Sequence, residues 1–229
     1  MAWSGGKDSA YAFFQLMKDG RYEVTTLLST INGNNNRLSM HGVREELIEE
    51  QAANIGIPLV KVYVYEGNNE EYEDCMSRAL INAKATGIKT IAFGDIFLED
   101  LRAYRENQMR KIGMNCLFPL WKIPTLELAH NFIAEGFRTI TCCVHNGYLD
   151  ESWCGRFVDK EFLRSLPPGV DPCGENGEFH SFCFEGPIFK KVLSIIAGEK
   201  IYKDLDQKTG FWFCDLKACN VSSVNQISK

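Results

Sequence analysis

The stretch Ser4-Gly5-Gly6-Lys7-Asp8-Ser9 stands at the junction between a first short strand and the first predicted helix. Its two glycines allow the backbone to approach an anion closely and to adopt positive φ. Ser9 and the amide groups after it open the helix N-terminus, which attracts phosphate. Lys7 can neutralise phosphate oxygens, and Asp8 can hold Mg²⁺. The hexapeptide therefore predicts a site for nucleotide phosphates.

This loop differs from the Walker A loop, GxxxxGK[ST], in two respects. Asp8 follows Lys7, and no glycine stands five positions before Gly6. A Walker-type ATPase is therefore excluded. Residues 1–3 precede the loop, whereas a usual apolar strand has about five residues. We therefore expect an unusually short central strand or a truncated chain.

Short apolar runs alternate with amphipathic stretches from this loop to Asn146. The apolar spacing predicts helices over residues 9–17, 43–55, 69–85, 98–112 and 125–134. Strands are predicted over residues 24–30, 59–65, 90–93, 116–120 and 138–144. This order predicts an α/β fold with a parallel sheet and helices on both faces. Ligands of such sheets bind at the carboxyl ends of the strands.

The pattern changes after Asn146. Helical periodicity is weak over residues 167–185, and strands are predicted over residues 188–196 and 210–216. We interpret residues 1–146 as a nucleotide-binding α/β domain and residues 147–229 as a smaller α+β region that serves the substrate.

The composition excludes several classes of protein. The chain has 229 residues, a net charge of −5 and 45% hydrophobic residues, which argues against a disordered chain and a bulk nucleic-acid binder. It lacks an apolar stretch of ~18 residues and a signal-peptide h-region, so we expect no membrane association. Nine cysteines without a CxxC pair favour reduced thiols and a cytoplasmic protein.

The hexapeptide resembles the PP-loop of the ATP pyrophosphatases, the adenine nucleotide alpha-hydrolase superfamily. This resemblance implies a HUP/Rossmann-like sheet and cleavage of ATP between its α and β phosphates. Further segments resemble the diphthine–ammonia ligase family. They are Met40-His41-Gly42-Val43-Arg44, Gln51-Ala52, Gly56-Ile57-Pro58-Leu59, Phe93-Gly94-Asp95-Ile96, Tyr104-Arg105-Glu106, Phe118-Pro119-Leu120-Trp121, Gly186-Pro187-Ile188-Phe189 and, most clearly, residues 169–182, GVDPCGENGEFHSF.

The resemblance implies that the enzyme uses ATP and Mg²⁺ to convert a carboxylate into an acyl-adenylate, which ammonia then amidates. In the family the carboxylate is diphthine, a modified histidine of elongation factor 2. Here Asn176 replaces a glycine of the usual motif and His180 replaces an acid. The reaction class is therefore expected to hold, while the substrate can be another small-molecule or protein-borne carboxylate. A homo-oligomer is compatible with the sequence.

The candidate site residues fall into three groups. The predicted catalytic residues are Lys7, Glu178 and His180. The predicted nucleotide-binding residues are Ser4, Gly5, Gly6, Lys7, Asp8, Ser9, Thr30, Ile31, His41, Gly94 and Asp95, with Asp8 as the Mg²⁺ ligand. The predicted substrate-binding residues are Asp171, Glu175, Glu178 and Arg105. Carboxylates in a glycine-rich loop suit Mg²⁺, ammonia or a cationic substrate, and His180 can exchange protons near neutral pH.

Two other functions share the nucleotide loop. A tRNA-thiolating enzyme needs a reactive cysteine and a basic RNA-binding face, and Cys173 is the cysteine best placed in this acidic chain. A sensor that binds ATP without turnover needs no carboxylate cluster. Release of AMP and pyrophosphate separates the sensor from the two enzymes.

Overall fold

The computed structural model describes residues 1–204 and 209–219 of the chain. Its helices are α1 (Lys7–Asp19), α2 (Glu45–Ile55), α3 (Asn69–Ala85), α4 (Glu99–Lys111), α5 (Thr125–Ala134) and α6 (Lys160–Ser165). Its strands are β1 (Leu27–Asn32), β2 (Arg37–Leu38), β3 (Leu59–Val64), β4 (Thr90–Ala92), β5 (Asn115–Leu117), β6 (Arg138–His145), β7 (Phe179–Glu185), β8 (Ile195–Asp204) and β9 (Gly210–Ala218).

A short N-terminal segment joins two parallel strand pairs into one sheet. β1 pairs in parallel with β3, and β4 pairs in parallel with β5. Between the pairs, Ala2 forms a parallel bridge with Leu28 and donates its N–H to the carbonyl of Ala92 over 2.9 Å. The strand order is thus β3, β1, residues 1–3, β4, β5. The central strand is short, as its sequence predicts.

Helices cover both faces of this sheet. Leu27 and Ile31 of β1 pack into a core shared with α1, α2 and α5. Leu28 points the other way, into a core shared with α3 and α4, because successive residues of a strand face opposite sides. The predicted α/β class with a parallel sheet is confirmed.

A second, antiparallel sheet has the order β7, β6, β9, β8. β6 pairs with both β7 and β9, so the last strand predicted before Asn146 belongs to the same sheet as the strands that follow it. The smaller C-terminal region is therefore β-rich, while the predicted division of the chain after residue 146 stays a prediction.

Two sequence predictions for this region were wrong. Residues 179–185 form β7 inside the stretch for which no regular element was predicted. The strand predicted over residues 188–196 begins only at Ile195. Before it, Phe189 donates its N–H to the carbonyl of Gly186, and Lys191 donates to the side chain of Asn54. These bonds turn the chain back toward α2.

Among the described residues, no helix combines the length and the apolar character that a membrane span requires.

Candidate active site

A cleft of about 600 Å³ opens at the carboxyl edge of the parallel sheet, where ligands of such folds bind. It is lined by the 4–9 loop, the segment after β2, the end of β4 and the loop before β7. The predicted site residues that line it are Ser4, Gly6, Lys7, Asp8, Ser9, Thr30, His41, Gly94, Asp95, Arg105, Glu175 and His180.

Four predicted site residues are absent from this lining: Gly5, Ile31, Asp171 and Glu178. Ile31 is fully buried in the core between β2 and β3, so its side chain does not meet a ligand in the cleft. Gly5 lies behind the loop at φ 67°, where a Cβ atom would stand 2.5 Å from Oε1 of Gln51. The positive φ and the close approach of Gln51 account for a glycine here. A nucleotide contact of Gly5 stays a prediction.

The 4–9 loop is held from behind by β7. The N–H of Cys183 donates to the carbonyl of Gly5 over 2.8 Å. The N–H of Lys7 donates to Oγ of Ser181 over 3.2 Å. The strand that sequence reasoning missed is therefore a direct support of the nucleotide loop.

Gln51 of α2 is a second support that sequence reasoning did not assign. Its Nε2 donates to the carbonyls of Gly5 (2.9 Å) and Cys183 (2.6 Å), and its Oε1 accepts from the indole of Trp3. The sequence signal is an amide side chain at helical spacing from the apolar residues Leu47 and Ile48, on the buried face of α2. Such a buried amide needs several partners, and here they are Trp3, Gly5 and Cys183.

Lys7 and Asp8 form an ion pair at the start of α1. Nζ of Lys7 lies 2.6 Å from Oδ1 of Asp8, and the Lys7 side chain is only 2% exposed. Burial lowers the pKa of Lys7, but Asp8 and the further acidic groups around it raise the pKa more, for a net increase. The lysine therefore stays a cation inside the cleft and can bind phosphate oxygens.

The end of β4 approaches the first turn of α1 closely. A Cβ atom on Gly94 would stand 3.0 Å from the carbonyl carbon of Asp8 and 3.1 Å from the nitrogen of Ser9. The next residue, Asp95, binds the guanidinium of Arg105 through both carboxylate oxygens. Arg105 also stacks over the ring of Phe93 at 4.3 Å, so its charge is fixed on the cleft wall.

Two carboxylates of the 171–180 loop bind the loop itself. Glu178 is 0% exposed and accepts hydrogen bonds from the backbone of Asp171 and from the backbone and side chain of Asn176, at 2.9–3.0 Å. Asp171 accepts from the backbone N–H groups of Cys173 and Glu175. These placements favour structural roles for both acids. A catalytic role for Glu178 stays a prediction.

Glu175 is the carboxylate of this loop that lines the cleft. Its Oε1 accepts from the N–H of Ile96 over 2.7 Å, which fixes it beside the end of β4. Burial, together with the nearby charge of Asp8, raises the pKa of Glu175 to about 7. A carboxylate with such a pKa can both take up and release a proton at neutral pH.

His41 and His180 lie against each other in the cleft, with ring centroids 4.6 Å apart. Burial, together with the charge of Lys7, lowers the pKa of His180 to about 4, and burial also holds that of His41 well below its usual value. Nδ1 of His41 lies 3.1 Å from the carbonyl oxygen of Ser181. Because a carbonyl only accepts, Nδ1 carries the hydrogen and leaves Nε2 of the neutral ring as an acceptor.

Comparison with known proteins assigns the chain to a family. Profiles of the diphthamide synthase N-terminal domain and C-terminal domain match residues 1–116 and residues 124–220. The diphthine–ammonia ligase of Mus musculus is 25% identical over 228 residues, covering 89% of this chain and 84% of that protein. The Homo sapiens ligase is 24% identical with the same coverage. The Schizosaccharomyces pombe ligase is 22% identical over 86% of this chain but 36% of its own length. Since the two profiles together span most of the sequence, the chain belongs to the diphthamide synthase family.

Proposed function

We propose that the protein is an ATP-dependent amide ligase, which activates a carboxylate as an acyl-adenylate and transfers it to ammonia. The observation that carries this proposal is the SGGKDS loop at the carboxyl edge of the sheet, which lines the same cleft as Glu175. Relatives that share most of this chain's length are named diphthine–ammonia ligases. The cleft volume of about 600 Å³ is sufficient for a nucleotide and a second substrate.

Activation of the carboxylate depends on the 4–9 loop. The N-terminus of α1 and the cationic Lys7 stabilise the negative charge that develops on the phosphates. The carboxylate oxygen attacks the α-phosphorus, the bond to the bridging oxygen breaks, and pyrophosphate leaves.

Asp8 fits the requirements of a Mg²⁺ ligand, because Mg²⁺ sites at nucleotides commonly combine one or two carboxylates with phosphate oxygens. Its carboxylate lines the cleft beside Lys7. Bound there with ATP, the ion would neutralise part of the phosphate charge.

Amidation requires a neutral nitrogen nucleophile. Ammonium must lose one proton before it attacks, and the tetrahedral adduct loses another as the bond to AMP breaks. Glu175, with a pKa of about 7 and a fixed position on the cleft wall, is suited to accept such a proton. His180 and His41 present neutral rings in the same cleft, which supports a role in orienting the acyl group and not in carrying charge.

The acyl substrate is diphthine on elongation factor 2 or another carboxylate that fits the same cleft. The side chain of Asn176 binds Glu178 and thereby helps to fix the conformation of the 171–180 loop. His180 lies on the cleft itself. The change from an acid at position 180 therefore alters the surface that meets the substrate. A cytoplasmic location and a homo-oligomer complete the proposal.

The tRNA-thiolating alternative is disfavoured by the environment of Cys173. Cys173 is 2% exposed, its thiol donates to the carbonyl of Thr125 over 3.3 Å, and burial raises the pKa of the thiol to about 12. A sulfur carrier needs an accessible thiolate.

Product analysis tests the proposed function. The protein is incubated with MgATP, ammonium and either diphthine-bearing elongation factor 2 or a panel of carboxylic acids, and nucleotides are separated by chromatography. We expect AMP and pyrophosphate in amounts that depend on the acid. ADP as the main product would contradict the proposal, and tight ATP binding without turnover on any acid would favour the sensor. Calorimetry should show that ATP binds more tightly than GTP.

A further inference from the structure

The segment that carries His41 is held by a carboxylate from the C-terminal sheet. Asp215 of β9 lies 2.8 Å from Nη2 of Arg37 and 2.9 Å from both Nε and Nη2 of Arg44. The backbones of Arg37 and Arg44 form an antiparallel bridge. One carboxylate therefore binds both ends of the closed loop formed by residues 38–43.

The backbone of the 38–43 loop also has an unusual conformation, which neighbouring side chains hold in place. Met40 and Gly42 adopt φ of 65° and 69°, a conformation that is uncommon for a methionine. Arg37 also donates to the carbonyl of Gly42 over 2.8 Å, and the ring of Phe213 on β9 fills the space where a Cβ of Gly42 would stand. Backbone strain of this kind persists only where the surroundings hold the chain in place.

The loop presents Ser39, Met40 and His41 to the cleft. The His41 ring packs on His180, and its Cε1 would lie 3.0 Å from a Cβ atom on Gly6. A displacement of the loop therefore moves His41 directly against or away from the nucleotide loop. Arg44 binds both carboxylate oxygens of Asp215, so this ion pair has a defined geometry as well as charge attraction.

The geometry points to Asp215 as a positioning residue that fixes His41 at the nucleotide site through Arg37 and Arg44. Asp215 itself is absent from the cleft lining, so it acts on the site through the loop. This inference rests on the proposed function only for its ATP-binding readout; the placement of His41 can be measured without ATP.

The chain contains four histidines, which makes their ring signals in NMR spectra a direct measure of position. In the full-length Asp215→Asn variant we expect the signals of His41 and His180 to shift. The signal of His145, which packs on Phe211 of the same strand β9 at 4.8 Å, should stay unchanged. A general loosening of β9 would move His145 too, and that result would overturn the proposal. Assignment uses the spectra of His41→Gln, His180→Gln and His145→Gln, and the remaining signal belongs to His130.

The same variant should bind MgATP about tenfold more weakly, because small displacements of positioning groups have effects of this size or larger. Arg44→Lys keeps the charge but loses the paired geometry, and should give smaller shifts of the same two signals. It also serves as the test if Asp215→Asn does not fold. The matched control is Glu185→Gln on β7 of the same sheet, which breaks an ion pair with Arg138 of β6 and should leave both readouts unchanged.

An unchanged His41 signal in folded Asp215→Asn or Arg44→Lys would refute the positioning role. Failure of the wild-type protein to bind MgATP would instead contradict the proposed function and leave the NMR result standing.

Discussion

The two loops that contribute to the cleft, residues 4–9 and 171–180, are both polar but use their side chains differently. In the first loop, the side chains of Lys7, Asp8 and Ser9 line the cleft while Gly5 and its supports stay behind. In the second, Asp171 and Glu178 bind the loop's own backbone. Charged residues in a motif are therefore not all ligand contacts, since some of them hold the rest in place.

Hydrogen-bond partners decide which role each acid of the second loop has. Glu178 has three donors from its own loop and is buried, whereas Glu175 is held through one oxygen by the backbone after β4. An acid with its acceptors satisfied at short range stabilises a conformation. An acid that lines the cleft and is anchored by a neighbouring segment is positioned for chemistry.

The largest effect should follow from removing the cation of the first loop. Lys7→Ala should weaken MgATP binding and lower acid-dependent AMP release by about 10³-fold, because a buried, preorganised charge is lost from the phosphate site. Calorimetry and product chromatography measure both. Lys18→Ala, at the exposed end of the same helix and paired with Glu135, is the control and should behave like wild type. If Lys7→Ala bound ATP with wild-type affinity, the 4–9 loop would not be part of the nucleotide site.

Glu175→Gln should keep MgATP affinity within a few-fold but lower the rate of amide formation by about 10²-fold, the usual contribution of a general base. The wild-type rate should increase as pH rises through about 7, because Glu175 must lose its proton to act as a base and its pKa is about 7. The variant should lose this increase. A pH–rate profile with the same inflection in the variant would assign the proton transfer to another group.

The variant Glu178→Gln tests whether Glu178 stabilises the 171–180 loop or takes part in catalysis. An amide cannot accept all the hydrogen bonds that this buried carboxylate accepts, so we expect the free energy of unfolding to fall by about 1–3 kcal/mol. Urea denaturation measures this change, and calorimetry should show MgATP affinity close to wild type. A rate loss of about 10²-fold without loss of stability would support the predicted catalytic role of Glu178 instead.

His180→Gln should have the smallest effect, a rate reduction of less than about tenfold, because the imidazole does not change charge near neutral pH. With a pKa of about 4, the ring is neutral between pH 6 and 8. The pH–rate profile of the variant should therefore have the wild-type shape over that range. His130→Gln, on α5, is the control. A changed profile would show that His180 titrates during turnover.

Locally encoded elements were the ones that the sequence predicted best. The bounds of α3 (Asn69–Ala85) and α5 (Thr125–Ala134) match the prediction residue for residue, since each has a clear apolar period. The N-cap residue of α3 is Asn68, whose side chain accepts a hydrogen bond from the N–H of Glu71. By contrast, β7 is buried along most of its length on both faces. Its sequence, FHSFCFE, therefore lacks the alternation that marks a half-exposed strand.

The supports of the site were the hardest part to predict. Ser181 lies 174 positions from Lys7, Cys183 lies 132 positions from Gln51, and Asp215 lies 171 positions from Arg44. No local pattern links such residues, because their pairing exists only once the two sheets meet. The cleft-lining residues of the 4–9 loop could be predicted because their chemistry and spacing are contained in one hexapeptide.

The hydrogen bonds from Cys183 and Gln51 to the carbonyl of Gly5 have a consequence for the order of folding. The nucleotide loop comes from the first residues of the chain, but its shape depends on a strand near residue 183. Contacts of such high sequence separation form late, because the intervening chain must be closed first. In refolding experiments, competence to bind ATP should therefore appear with the last kinetic phase, after the helices of the N-terminal half have formed.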